Sequence, residues 1–262
     1  MRYLICTIIL LFSSVSHSIV TIESFSDDLR DGLTLNLGLG GELLLGNNDA
    51  FTISPALRMD YMLNDEYRVL ALGKYDYGES GQGMIKNEGF AHLRWIYVSD
   101  GKGTRGMGYE IFTQAQYDTF KSLTLRQLNG IGYRLELSSN EDGITFGTSF
   151  MTDYEQLKEG DGDGLVYRNS TYFSYTWKEE MTSHDKVVLK KKPKYIGSII
   201  GYVQPRIGKP TDLRVLITGQ HETPIGYDIS LVFNANYLYD SRPPTEVSPH
   251  DFKAIVALKL AI

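Results

Sequence analysis

One cysteine, Cys6, is all the chain contains, which excludes a disulfide scaffold and any cysteine-based zinc site. No internal run of about 20 apolar residues occurs, so a polytopic helical membrane protein is excluded as well. Basic charge is in deficit: 26 Lys and Arg stand against 32 Asp and Glu, a net charge of -6 and the wrong sign for binding nucleic acid. No phosphate-binding loop or nucleophile elbow appears, and Gly38-Leu39-Gly40-Gly41 fails the dinucleotide spacing. No cofactor is therefore expected. What the chain has in quantity is 18 Tyr, 11 Phe and 26 Gly, a composition that argues against disorder and favours β-structure.

The N-terminus reads as a separate object. Met1-Arg2 gives a positive start, Tyr3 to Phe12 an apolar stretch, and Ser13 to Ser18 a small, polar end. That is the layout of a secretory signal peptide over residues 1–18, cleaved near Ser18, and its apolar part is too short to span a bilayer permanently. Removal takes away Arg2 and Cys6, leaving an acidic chain without a thiol. Residues 19–31 follow as a short N-terminal segment, expected in the periplasm.

From residue 32 the sequence alternates with a period of two. Leu33, Leu35, Leu37, Leu39, Leu43 and Leu45 share one face, with Thr34, Asn36 and Glu42 on the other; Phe51, Ile53, Leu57, Met59 and Tyr61 oppose Thr52, Ser54, Arg58 and Asp60. Successive side chains of a strand point to opposite faces, so each segment predicts a strand with one apolar and one polar face. Turn-rich punctuation separates twelve of them, near 32–45, 50–63, 67–78, 89–98, 108–118, 124–138, 144–156, 167–178, 194–206, 211–221, 227–240 and 251–262. The ninth is the least regular, because residues 195–205 are apolar on both faces at several points. The chain is 22% charged, yet no charged residue falls on the apolar face of any strand.

Alternation alone does not say which face is inside. In a soluble sandwich or lipocalin-like barrel the apolar face is the core; in an outer-membrane barrel it meets lipid. The aromatics decide. If the chain enters from the periplasm, Tyr61, Tyr67, Trp95, Tyr97, Tyr109, Tyr133, Tyr175, Trp177 and Tyr227 form a belt at one end of the apolar face. Tyr75, Tyr77, Tyr117, Tyr154, Tyr167, Tyr237, Tyr239 and Phe252 form another at the opposite end. Two girdles flanking an aliphatic band match two lipid–water boundaries, whereas a soluble core has no reason to sort its tyrosines by depth. The expected fold is all-β: a transmembrane antiparallel up-and-down β-barrel of about twelve strands over residues 32–262, in the cell outer membrane. Its expected partners are outer-membrane lipids and, during biogenesis, periplasmic chaperones and the barrel assembly machinery. The last strand alternates to the final residue, although Ile262 stands where such barrels usually end in an aromatic.

Several stretches resemble the salt-induced outer membrane protein family, a domain of unknown function numbered 481. They are Leu45 to Asp49 (LGNND), Tyr77 to Ser80 (YGES), Leu125 to Leu135 (LRQLNGIGYRL) and Tyr237 to Pro244 (YLYDSRPP), in the expected order. The resemblance covers roughly residues 32–262. It implies an outer-membrane barrel connected with salt or osmotic stress, and it carries over no catalytic residues.

The charges on the polar face are the candidate functional residues. Arg58, Asp60, Arg68, Lys74, Asp76, Arg94, Glu110, Arg134, Glu136, Lys253 and Lys259 are expected to line the lumen. Both signs are interspersed, which predicts paired residues rather than a strongly selective ring. Of the histidines, His92 shares this face with Arg94, and His221-Glu222 is expected at a turn. Glu159 to Gly164 (EGDGDG) lacks the further ligands of a calcium loop and reads as a solvated external turn with at most weak divalent binding. Twelve strands enclose more than an eight-stranded barrel and less than a porin. The leading expectation is a narrow passive pore for ions or small solutes. A closed structural barrel is the alternative, and a lipid-modifying enzyme is the third reading, without a Ser–His pair on one strand face to support it.

Overall fold

The computed structural model describes residues 32–44, 49–64, 66–99, 105–138, 142–158, 164–180, 194–225, 229–243 and 247–260. The expected signal peptide, the segment 19–31, residues 159–163 of the acidic loop, Tyr227 and the terminal Ile262 lie outside the described residues. What is described is all-β apart from one 3-10 turn, Thr119–Lys121. The strands are β1 (Gly32–Leu44), β2 (Ala50–Leu63), β3 (Tyr67–Ser80), β4 (Gly83–Ser99), β5 (Arg105–Asp118) and β6 (Leu123–Ser138). The second half of the chain adds β7 (Asp142–Leu157), β8 (Gly164–Glu180), β9 (Lys194–Arg206), β10 (Lys209–Pro224), β11 (Ile229–Asp240) and β12 (His250–Leu260).

Each strand pairs antiparallel with the next, so the sheet order is the chain order, from β1 to β12. Short connections enforce this, because an antiparallel pair needs only a hairpin whereas a parallel pair needs a crossover. Two of them are only two residues long, Gly81-Gln82 between β3 and β4 and Ile207-Gly208 between β9 and β10, where Gly208 takes φ +80°, a conformation open to glycine without strain. The β3–β4 hairpin is closed by the Ser80 hydroxyl, which donates to the Gly83 carbonyl (3.3 Å) and accepts from the Gln82 amide (3.3 Å). β4 begins at Gly83, well before the expected residue 89. The reason is a bulge: Gly78 pairs with Lys86 and Glu79 with Met84, leaving Ile85 as the extra residue and masking the alternation there.

The sheet curls on itself. Lys121, in the turn between β5 and β6, lies 3.6 Å from Asp251 on β12, although six strands intervene along the sheet order. The concave side carries the buried polar groups and the convex side the exposed apolar ones. Leu37 is 84% exposed, Ile131 57% and Val256 63%, while Asp153 and Glu110 are each 1% exposed and Asp212 0%. A water-soluble domain has the opposite distribution.

Exposed tyrosines lie toward the two ends of the convex face, with Phe146, Phe150 and Phe173 between them. Register places Tyr67, Tyr97, Tyr109 and Tyr133 side by side on β3 to β6, with ring centroids 5.0, 6.5 and 5.2 Å apart in turn. Tyr75 and Tyr77 stack near the other end of β3, and Phe150 and Tyr167 stack at 5.6 Å on β7 and β8.

Candidate functional site: the polar interior

Four groups of charged side chains fill the concave face, each built by neighbouring strands whose inward positions fall at the same height. On β2 and β3, Asp60 is shared by two guanidiniums. Arg58 reaches it through Nε at 2.6 Å and Arg68 through Nη2 at 2.7 Å. Where β3 and β4 meet their hairpin, Asp76 pairs with Lys74 at 2.7 Å and Lys86 at 3.6 Å, and Lys86 also reaches Glu88 at 3.2 Å. Lys253 on β12 stands within electrostatic reach of Lys74, Lys86, Asp76 and Glu88, which brings the last strand close to the third and fourth.

Deeper in, Glu110 on β5 accepts a 2.8 Å hydrogen bond from the Tyr172 hydroxyl of β8, and Arg134 of β6 donates to that same hydroxyl at 3.0 Å. Arg94 of β4 lies 3.6 Å from Glu110, with its guanidinium 5.5 Å from the centre of the Phe112 ring and 5.9 Å from that of Tyr172. Arg134 also pairs with Glu136. His92, next to Arg94 on the same face, is 3.3 Å from the Gln114 side-chain oxygen.

The fourth group is the most buried. Arg168 of β8 is 1% exposed and uses its whole fork: Nε to Asp153 at 2.9 Å, Nη2 to Asp212 at 2.8 Å, and Nη1 to the carbonyls of Gln204 and Asp212. Arg214 of β10 bridges Asp240 at 2.7 Å, Glu155 at 3.1 Å and Asp153. Arg126 of β6 completes the set on Glu155 and Asp153. These contacts are chords across the curl, joining β6, β7, β8, β10 and β11 and not merely adjacent strands. Fully desolvated charges persist only when so paired and hydrogen-bonded.

Apolar side chains share the interior. Tyr172, Ile200, Tyr202, Leu216 and Leu238 form one cluster and Phe112, Leu128 and Met151 another. This explains the irregular ninth strand: β9 turns Ile196, Ile200 and Tyr202 inward and Ile199 and Val203 outward, so both faces are apolar for different reasons. Between the two clusters, bounded by His92, Gln114, Ser149 and Ser170 among others, is a cavity of about 30 Å³, room for one or two waters.

At the hairpin end of β5, the Thr119–Lys121 turn is started by the Asp118 carboxylate, which accepts from the Phe120 amide at 3.0 Å. It drives Lys121 inward to 2% exposure, 3.6 Å from both Asp118 and Asp251. Burial pulls the Lys121 ammonium down to about 8, against the raising pull of Asp118, Asp251 and Glu88.

Ten of the eleven candidate residues are thus placed on the concave face, in three of these groups. Of Lys259 only the backbone is described, paired with Ser230. Arg168, Asp212, Lys121 and Arg126 were not among the candidates. Arg126, Arg168 and Asp212 share the inward parity of their strands and were legible by the same rule, whereas Lys121 sits in a turn that the rule does not reach. His221 and Glu222 lie within β10 rather than at a turn, with His221 stacked near Trp177 and Tyr195. Compared with protein-family models, curated proteins and solved structures, the chain gives no match.

Proposed function

We propose that the chain is a bacterial outer-membrane β-barrel, closed by its first and last strands, with its convex face in lipid. The inverted distribution of side chains carries this reading. A convex face with Leu37 at 84% exposure, wrapped around a charged interior, is stable only if that face does not meet water. The aromatic groups toward both ends of the face suit the two interfaces, and strands of 11 to 17 residues meet or exceed the roughly 9–11 needed for a tilted crossing. Export by the N-terminal signal, assembly by the outer-membrane machinery and a role in salt or envelope stress belong to the same proposal.

Of the two leading activities, the geometry favours the closed structural barrel. The chords through Arg168, Arg214 and Glu110 occupy the space that a pore needs, and they are locked to fixed partners. The narrow passive pore remains the second reading, supported by Lys74, Lys86, Arg58 and Arg68, whose side chains keep 14% to 33% exposure on the concave side. Reconstitution of the purified barrel into planar bilayers separates them. The closed barrel gives no steady conductance until a chord is cut by Arg168→Ala. Steady wild-type conductance whose cation preference rises on Arg58→Gln and Arg94→Gln would establish the pore instead.

A further inference from the structure

The convex face is apolar almost throughout, so the place where it is not stands out. On β5 to β8 it presents Thr113, Asn129, Thr148, Thr152, Asn169 and Thr171 among Ile111, Ile131, Phe150 and Phe173. Two of them lie midway between the aromatic belts: Thr113 is four residues from both Tyr109 and Tyr117 on β5, and Thr171 four from both Tyr167 and Tyr175 on β8. They bond among themselves. Thr113 donates to Asn129 Oδ1 at 2.8 Å, and Asn129 Nδ2 reaches the Thr152 hydroxyl at 3.4 Å. Thr171 donates to Asn169 Oδ1 at 2.8 Å, and Asn169 Nδ2 reaches the Thr148 hydroxyl at 3.3 Å.

A carboxamide offers two donors and two acceptors, and the side-chain partners described for Asn129 take one of each. Hydrocarbon cannot supply the others, whereas a protein surface can. Beside Asn129 the face is also hollow. Short Thr113 and Asn129 lie between bulky Leu93 and Trp95 on one side and Phe150 on the other, leaving a groove of about 450 Å³. Phe150 itself projects, 49% exposed.

We propose that this face is a two-fold contact between two copies of the chain in the membrane, with Asn129 near the axis and Phe150 of each copy seated in the groove of the other. The inference rests on the membrane reading above. Three features make the second copy the fitting partner. A two-fold axis sets each patch against itself, and no outward residue described on β5 to β8 between the belts is charged, so nothing repels. A carboxamide is its own hydrogen-bonding complement. Knob and hollow occur on the same face, as an isologous contact requires.

The test is site-directed cross-linking in a Cys6→Ser background, with Asn129→Cys as the probe and Phe252→Cys as the control. Phe252 is also outward, at 60% exposure, but lies on β12. Oxidation in native membranes should give at least tenfold more disulfide-linked dimer from Asn129→Cys than from Phe252→Cys, and adding Phe150→Ala should reduce it. Sedimentation with the outer membrane and heat-modifiable gel mobility report insertion separately. Inserted protein that stays monomeric, or that cross-links equally at both sites, overturns the dimer and leaves the barrel reading standing. Folded protein found outside the membrane overturns both.

Discussion

Arg168 is the residue on which the interior depends most. Its guanidinium is desolvated and fully engaged, so deleting one partner leaves a buried charge whose cost exceeds that of the lost bond. Asp212→Ala should cost about 3–5 kcal/mol in urea unfolding of the reconstituted protein, the usual range for breaking a buried pair. Combining it with Arg168→Met should recover most of the loss, because Asp153 keeps Arg214 and Arg126. A double variant no better than the single would show that Arg168 is not the residue left stranded. Lys121 has a signature in pH. Its folded value of about 8 lies below the ordinary 10.5, so between those limits the unfolded chain holds more protons and stability rises with pH. The stability difference between wild type and Lys121→Met should therefore climb in favour of wild type from pH 8 to 10.5. A difference that falls across that window would contradict the burial of the ammonium. Parity along a strand reveals which charges face inward, Asp212 beside Arg214 included, but not that Lys121 joins them, because Lys121 belongs to a turn outside the alternation.

At the scale of elements, the strands were legible because one rule, period two with charge confined to one face, operates through the middle of the strands, with β9 the least regular. Twelve expected segments correspond to twelve strands, and the ends differ where the rule is locally broken, as at the Ile85 bulge that hid the first turns of β4. The mixed interior was less legible. An inward Ile200 or Leu216 is indistinguishable in sequence from an outward one until the neighbouring register is known. Register also creates demands that composition does not reveal. A Cβ on Gly108 would lie 1.8 Å from the Tyr97 carbonyl oxygen, inside any allowed contact with backbone that cannot swing away. Gly108→Ala should thus separate β4 from β5 locally and lower thermal stability, while Gly201→Ala, with open space around its Cβ, should change little. Comparable melting of both variants would contradict the β4–β5 register.

For the whole molecule, the proposal turns on what meets the convex face. Arginine at a lipid-facing midplane site costs about 2–4 kcal/mol. Ile131→Arg should therefore block assembly, judged by heat-modifiable gel mobility, while Gln116→Lys, at an inward, half-buried position grouped with the carboxylates of Asp76, Glu88 and Asp118, is tolerated; equal assembly of the two would count against the lipid-facing orientation. A more direct measurement uses native residues. The chain has two tryptophans, Trp95 and Trp177, both on the convex face toward the same end of their strands. In vesicles of brominated phospholipid, their fluorescence should be quenched, and more strongly by bromines near the headgroup than by bromines near the bilayer centre. Fluorescence that ignores brominated lipid at every depth but yields to a water-soluble quencher would contradict the membrane barrel.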